Sequence, residues 1–218
     1  MNCLVVAAAV IEITPFLEEY RGKNSLPAGI ETDILITGIG LTATTYSLVK
    51  QLNIKRPDLV IQAGVGGCFD TRIPLGSVLA IKKEAIADQS VIELDQLKTM
   101  FDLKLVPQDQ YPFSKGWLVN KSDLLKKVKL KKVTGVSVNE ITTSKQKVKF
   151  YKEIFSPVVE SMEGAALHYV CLMEKIPFLQ IRSVSNYIAE RNKKNWNMKE
   201  SISNLNKELL RIVISSAQ

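Results

Sequence analysis

Nine consecutive apolar residues, Cys3 to Ile11, are followed at once by Glu12. A run of this kind, rich in Val and Ala, reads as a strand buried on both faces. Only a sheet covered by helices on both sides offers that environment. A bilayer span needs about 20 such residues. The run also lacks a basic flank, so it reads as neither a membrane span nor a secretory leader.

The rest of the chain repeats the theme. Thr14-Pro15 suits a helix start, with a short helix over 15–21. Glu31–Ile36 reads as a second strand, ended by Thr37-Gly38-Ile39-Gly40. Leu41, Thr45, Leu48 and Leu52 have helical spacing. Leu59–Ala63 is a third strand that runs into Gly64-Val65-Gly66-Gly67, and Gly76–Lys82 is a fourth. Residues 88–115 are polar, with Pro107 and Pro112, and read as loops with one short helix at most. Trp117–Asn120 and Val133–Val138 read as strands and 144–155 as a helix. Pro157–Ser161 (strand), Glu163–Lys175 (helix) and Pro177–Val184 (strand) follow, then an amphipathic helix over about 198–216. No linker and no internal repeat interrupts the alternation. The expectation is one α/β domain, 1–218, with a mixed, largely parallel central sheet. Ligands of such sheets sit beyond the carboxyl ends of the strands.

The net charge of +7 invites a nucleic-acid reading, but its distribution argues against one. Residues 121–152 hold ten Lys against Asp123 and Glu140, a local charge of +8. The remaining nineteen Lys and Arg against twenty acids leave −1. A nucleic-acid groove usually adds Arg and stacking aromatics, and this stretch has no Arg. It reads as a solvated face. Three scattered cysteines, Cys3, Cys68 and Cys171, form neither a disulfide framework nor a metal motif, and they suit a reducing, cytoplasmic setting.

Four strand ends carry unusual chemistry: Glu12, Gly64–Gly67, Met162-Glu163 and Ser185-Asn186. At the end of a buried strand Glu12 is partly desolvated, which raises its pKa and suits a general base. A helix-start acid is the equal alternative. The glycines allow either close backbone approach to a ligand or a tight turn. Glu163, followed by Gly164-Ala165-Ala166, has little bulk around it and can accept from sugar hydroxyls. A helix N-terminal acid explains it as well. Arg182-Ser183-Val184-Ser185-Asn186 ends a strand with a charge, hydroxyls and an amide. The polar segment Tyr187 to Trp196 is long enough to be a lid. His168 is the only histidine and reads as structural, because no GxSxG nucleophile accompanies it.

In this order, these motifs resemble the nucleoside phosphorylase/nucleosidase superfamily, the branch with methylthioadenosine/adenosylhomocysteine nucleosidase and futalosine hydrolase. The resemblance covers nearly the whole chain. It implies a three-layer α/β/α fold, commonly a homodimer, acting on a small-molecule nucleoside without metal or other cofactor. It implies that Glu12 activates water and that Arg182 helps hold it. Met162 and Glu163 would bind ribose, and backbone at Val65 and Gly66 would lie near the sugar. Ile141 and Thr142 would stack on and contact the purine. Gly64 replaces a family serine. The sharpest departure is Asn186, where nucleosidases for 6-aminopurines carry Asp. A protonated Asp complements adenine's N7 and 6-amino group. An Asn amide donates to the N7 and O6 acceptors of a 6-oxopurine. Asn186 therefore resembles futalosine hydrolase, which releases hypoxanthine. A carboxylate in the Val10–Pro15 loop would repel phosphate, which favours hydrolysis over phosphorolysis. The alternatives are a methylthioadenosine-type nucleosidase, a purine nucleoside phosphorylase and a non-catalytic nucleoside-binding protein.

Overall fold

A computed structural model describes residues 1–22, 29 and 31–216. The first strand, β1 (Asn2–Ala7), lies between β2 (Glu31–Ile36) and β3 (Leu59–Cys68), parallel to both. The double burial expected of the first apolar run is present and alternates along it. Cys3, Val5 and Ala7 pack with Ile13 and Phe16 of α1 (Val10–Gly22) and with Leu205, Leu209 and Ile212 of α6 (Met198–Ser215). Leu4 and Val6 pack with Leu48 and Leu52 of α2 (Leu41–Ile54) and Leu167 and Val170 of α5 (Gly164–Met173). These are the three layers.

The sheet is mixed and partly closed. β11 (Phe178–Tyr187) pairs in parallel with β3 and antiparallel with β4 (Val78–Ile86). β4 runs parallel to β9 (Lys131–Ser137), and β9 parallel to β10 (Val159–Ser161). β10 then returns, antiparallel, to the far end of β3. The pairing β3–β11–β4–β9–β10–β3 is a closed circuit. It is possible because β3 is ten residues long, so its two halves face different partners. The short strands β7 (Phe113–Ser114) and β8 (Trp117–Val119) extend the β4 edge. The helix α4 (Lys145–Phe155) covers the β9 side through Phe150 and Tyr151.

Several local expectations need correction. The first strand ends at Ala7, and the helix begins at Val10 rather than Pro15. Val10 and Ile11 are therefore exposed helix residues, not strand core. The Glu12 N–H donates to the Ala9 carbonyl and closes the first turn earlier than a cap at Thr14 would. Thr14 is no cap: its hydroxyl donates back to the Val10 carbonyl. The Gly64–Gly67 segment is not a turn but the continuation of β3, and none of its glycines has a positive φ. Ser185-Asn186 lies inside β11, not after it. The polar stretch 88–115 holds a small antiparallel hairpin, β5 (Ser90–Glu93) with β6 (Gln96–Thr99). A short helix in the Lys-rich stretch, α3 (Asp123–Lys127), was not legible from spacing. No helix among the described residues is long and apolar enough to cross a membrane.

Candidate active site

Where the ends of β1, β3, β10 and β11 meet the starts of α1 and α5 lies a cavity of about 300 Å³. That is the lower end of the usual range for small-molecule sites. Glu12, Val65, Gly66, Ile141, Thr142, Met162, Glu163 and Asn186 all line it. Arg182 does not reach its wall. It lies beneath, 1% exposed.

Glu12 is both things its sequence context allowed: a first-turn helix acid and a buried carboxylate facing the cavity. Its Oε2 accepts from the N–H groups of Ala8 and Ala9 at 3.1 and 3.2 Å, and its Oε1 from Val65 N–H at 3.0 Å. Burial raises its pKa above the ordinary carboxylate range. The Arg182 charge and the Val65 N–H pull it back down, and the Glu163 charge adds to the rise. The backbone under Glu12 is held by a residue from the far end of the chain. Pro15 interrupts the helical ladder, and Asn206 of α6 inserts into it next door. Asn206 Nδ2 donates to the Glu12 carbonyl at 2.8 Å, and Asn206 Oδ1 accepts from Phe16 N–H at 3.0 Å. The amide bridges the Glu12 carbonyl and the Phe16 N–H, the two groups that a regular helix pairs with each other.

Glu163 is the residue preceding α5 and is 6% exposed. Its Oε1 accepts from Gly40 N–H at 3.3 Å, and its Oε2 meets Arg182 Nη2 at 3.4 Å. The same Nη2 donates to Gln62 Oε1 at 2.8 Å. Gly64 makes this arrangement possible. A Cβ there would lie 2.0 Å from Arg182 Nη1 and 2.9 Å from Glu12 Oε1. The glycine is thus explained by what lies against it, not by its own φ. One guanidinium sits under two carboxylates and favours the charged form of Glu12.

Asn186 lies where β11 bulges between Val184 and Asn186. Its Nδ2 donates to the Tyr187 carbonyl at 3.1 Å, which assigns the amide nitrogen, since a carbonyl can only accept. Its Oδ1 faces the Ser185 hydroxyl at 2.9 Å. One N–H of Nδ2 is left for the cavity. The segment after β11 forms one wall through Ile188, Glu190, Arg191 and Trp196. Trp196 Nε1 donates to the Glu190 carbonyl at 3.1 Å, and Arg191 lies 5.6 Å over the indole ring.

Sequence reasoning missed two carboxylates. Glu160 of β10 is 5% exposed and also lines the cavity. Its Oε1 accepts from Thr142 N–H at 3.0 Å, while its Oε2 is buried without a partner. Burial raises its pKa, and the Thr142 bonds lower it. Its position in a three-residue strand of alternating direction was the only available signal. Glu84 of β4 is sealed under the start of α5 and does not line the cavity. It accepts from Gln180 Nε2 at 2.9 Å and from the Ser137 hydroxyl at 3.3 Å. Burial pushes its pKa up to about 7. His168 shares that sealed region: its Nδ1 is 2.9 Å from the Leu118 carbonyl, and burial lowers its pKa to about 4.

The family model of the phosphorylase superfamily matches residues 29–216. The chain belongs to this superfamily. Among curated members, it is 27% identical over 164 residues to the 5′-methylthioadenosine/S-adenosylhomocysteine nucleosidase of Buchnera aphidicola subsp. Schizaphis graminum, covering 72% of this chain and 67% of that one. Solved superfamily structures share the fold at lower identity. A point mutant of the Helicobacter pylori methylthioadenosine nucleosidase, with 5′-methylthioadenosine in the active site, superposes with a TM-score of 0.80 at 20% identity, over 98% of each chain. The futalosine hydrolase of Helicobacter pylori superposes with a TM-score of 0.77 at 20% identity, over 99% of this chain and 98% of that one.

Proposed function

We propose that this protein is a purine nucleosidase that hydrolyses the N-glycosidic bond of a 6-oxopurine nucleoside, with futalosine as its substrate and hypoxanthine as the released base. The observation that carries the reading is Asn186. It stands at the cavity as an amide whose nitrogen is assigned by the Tyr187 carbonyl, with one N–H free to donate. A 6-oxopurine offers N7 and O6, two acceptors, on the edge that such a donor meets.

In this mechanism Glu12 takes a proton from water, and the water oxygen bonds to the anomeric carbon. The carbon–nitrogen bond breaks, and its electron pair passes into the purine. The Asn186 N–H stabilises the charge that builds there, by about 3–4 kcal/mol if it resembles other preorganised donors. Glu163, fixed by Arg182 and Gly40, accepts from ribose hydroxyls, and Met162 packs against the sugar. Arg182 acts from beneath by keeping Glu12 ionised. Phosphorolysis is disfavoured because Glu12 and Glu163 face the same cavity and would repel an anion.

The test is incubation with futalosine, inosine and methylthioadenosine, each with and without phosphate. Phosphate-independent release of hypoxanthine from futalosine is expected. The curated relatives' name favours a second reading, a methylthioadenosine-type nucleosidase. Release of adenine alone would establish it and overturn the first.

We also propose a homodimer. Tyr46 and Val49 of α2 are exposed and line a second cavity of about 690 Å³, and Ile39 and Ile141 are exposed at the mouth of the first. A second copy of the chain would cover this apolar area. Sedimentation at micromolar concentration is expected to give twice the mass of 24.3 kDa, and a monomer at that concentration would refute it.

A further inference from the structure

Glu163 holds an unusual place for a carboxylate that faces a cavity. It is the residue at which α5 starts, and its carbonyl accepts from Leu167 N–H at 3.2 Å. The first N–H groups of a helix have no partner within it, and the side chain at this position commonly supplies one. Glu163 does not. Its carboxylate makes no bond to its own helix and turns to Gly40 N–H and Arg182 instead. Gly164, Ala165 and Ala166 are all buried, so the N–H groups of this first turn need partners from elsewhere.

The sheet beneath supplies them. Ser137 of β9 and Ser161 of β10 are paired in parallel register, with their hydroxyl oxygens 3.5 Å apart. Ala165 N–H donates to Ser137 Oγ at 2.8 Å, and Gly164 N–H donates to Ser161 Oγ at 3.3 Å. Ser137 is fully buried, and its own hydroxyl donates to Glu84 Oε2 at 3.3 Å. Glu84 is held in turn by Gln180 Nε2 at 2.9 Å. A Cβ at Gly164 would lie 2.2 Å from Glu84 Oε1 and 2.3 Å from Gln180 Nε2, so the helix start rests directly on this group.

This arrangement separates two tasks that fall on one residue. A carboxylate that caps its own helix has its lone pairs turned inward. With the N–H groups satisfied from the sheet, the Glu163 carboxylate is left to the cavity. We infer that Ser137 is a positioning residue: it ties the first turn of α5 to the sheet and so sets Glu163 against the ribose. Ser137 does not line the cavity, so it acts through Glu163 and not on the ligand. The inference rests on the ribose-binding role proposed above for Glu163 and is independent of which base is released.

The test reads sugar and base separately. The ligands are the nucleoside that the unaltered protein cleaves, futalosine or methylthioadenosine, and the base it releases. In Ser137→Ala the KM for the nucleoside is expected to rise about three- to thirty-fold, the span of a lost helix cap. kcat is expected to stay within about threefold, the pattern of lost ground-state binding. The Kd of the free base, which has no ribose to offer Glu163, is expected to stay within about twofold. In a Glu163→Gln background, where the ribose acceptor is already impaired, adding Ser137→Ala is expected to move KM by less than about twofold. Ser137→Cys, close in volume and a weaker acceptor, is expected to lie between. A merely structural loss would weaken nucleoside and base by the same factor, or would add its full effect to Glu163→Gln. Either result overturns the assignment, as does an unchanged KM in folded Ser137→Ala. If neither variant folds, amide hydrogen exchange of the unaltered protein is the measurement. Ala165 N–H is expected to exchange as slowly as the sheet amides, and fast exchange overturns the bond to Ser137. If Glu163→Gln alone leaves KM unchanged, the ribose role of Glu163 itself falls, and the assignment with it.

Discussion

Two buried polar clusters lie within this sheet, one on each side of the α5 start, and they differ in one respect. The cavity cluster holds Glu12, Glu163, Glu160 and Asn186, with Arg182 beneath. The sealed cluster holds Glu84, Gln180, Ser137 and His168. Both combine strand residues with residues of a helix or its first turn, and both contain carboxylates whose pKa is raised by burial. Glu84 is even the more completely buried. Glycines make room for it: a Cβ at Gly135 or Gly164 would lie 2.4 or 2.2 Å from its Oε1. The difference is access. Glu12, Glu163 and Glu160 line the cavity, whereas Glu84 does not. A shifted pKa marks burial, and only burial beside open space marks chemistry.

The comparison can be broken most directly at Glu12. Glu12→Gln removes the base and keeps the backbone bonds of one oxygen, while its Nε2 meets the N–H that the other oxygen accepted from. A general base of this kind contributes about 10²–10⁴-fold. Turnover is expected to fall by that factor, while the unpaired N–H lowers stability by about 1–3 kcal/mol and leaves the protein folded. Near-normal turnover would place catalysis elsewhere.

Glu163→Ala strikes next. It removes the ribose acceptor and leaves Arg182 with Gln62 alone in a buried site. Breaking a buried pair at one end costs about 3–5 kcal/mol, so both a lower melting temperature and a higher KM are expected. Glu163→Gln should restore most of the stability and little of the affinity.

Glu84→Ala should show the opposite balance. It strands the Gln180 amide and the Ser137 hydroxyl, at about 1–3 kcal/mol, while kcat per folded molecule changes by less than about threefold, well under 1.4 kcal/mol. A loss of kcat comparable to that of Glu12→Gln would erase the distinction between the clusters.

The pH responses separate the clusters too. An acid with a raised folded pKa binds its proton more tightly when folded. Its stabilising contribution is present below the unfolded value near 4.5 and is lost as pH rises toward about 7. Glu84→Gln is therefore expected to flatten the loss of stability between pH 5 and 7 in urea titrations. Glu12 must be ionised to act, so kcat is expected to fall on the acid side, at a pH above that of an ordinary carboxylate. The smallest effect is expected on the Lys-rich face. Lys126 and Lys129 are exposed and do not line the cavity, and replacing both with Gln should leave turnover unchanged in a standard assay.

Much of the fold was legible because its signals are local. The apolar run at Cys3 announced a doubly buried strand, and Leu41 to Leu52 and the 198–216 segment announced helices by period. Most strands and helices lie within a few residues of where the pattern put them. The errors were at boundaries. Val10 and Ile11 are as apolar as the strand before them, so composition could not show that Glu12 closes a helical turn on Ala9. Gly64–Gly67 reads equally as a tight turn or as backbone that approaches a ligand closely, because glycine serves both. Here the glycines stay extended and are small because Arg182, Glu12 and the Glu160 backbone press on them.

The sequence alone therefore determined an alternating α/β chain, with a carboxylate after the first strand, Glu163 before a helix and an amide near the end of the last strand. These depend on neighbours within a turn or a strand, where periodicity and capping act. The tertiary structure decided which of the polar residues share a space. It closed β10 onto the far half of β3, set Glu160 and Asn186 on either side of Gly67, and sent Glu84 behind the helix instead of into the cavity. Strand register and sheet closure are fixed by contacts between residues dozens of positions apart, and side chains alternate faces every residue. A one-residue difference in the register of β4 would turn Glu84 to the other face of the sheet, and no local pattern records that choice.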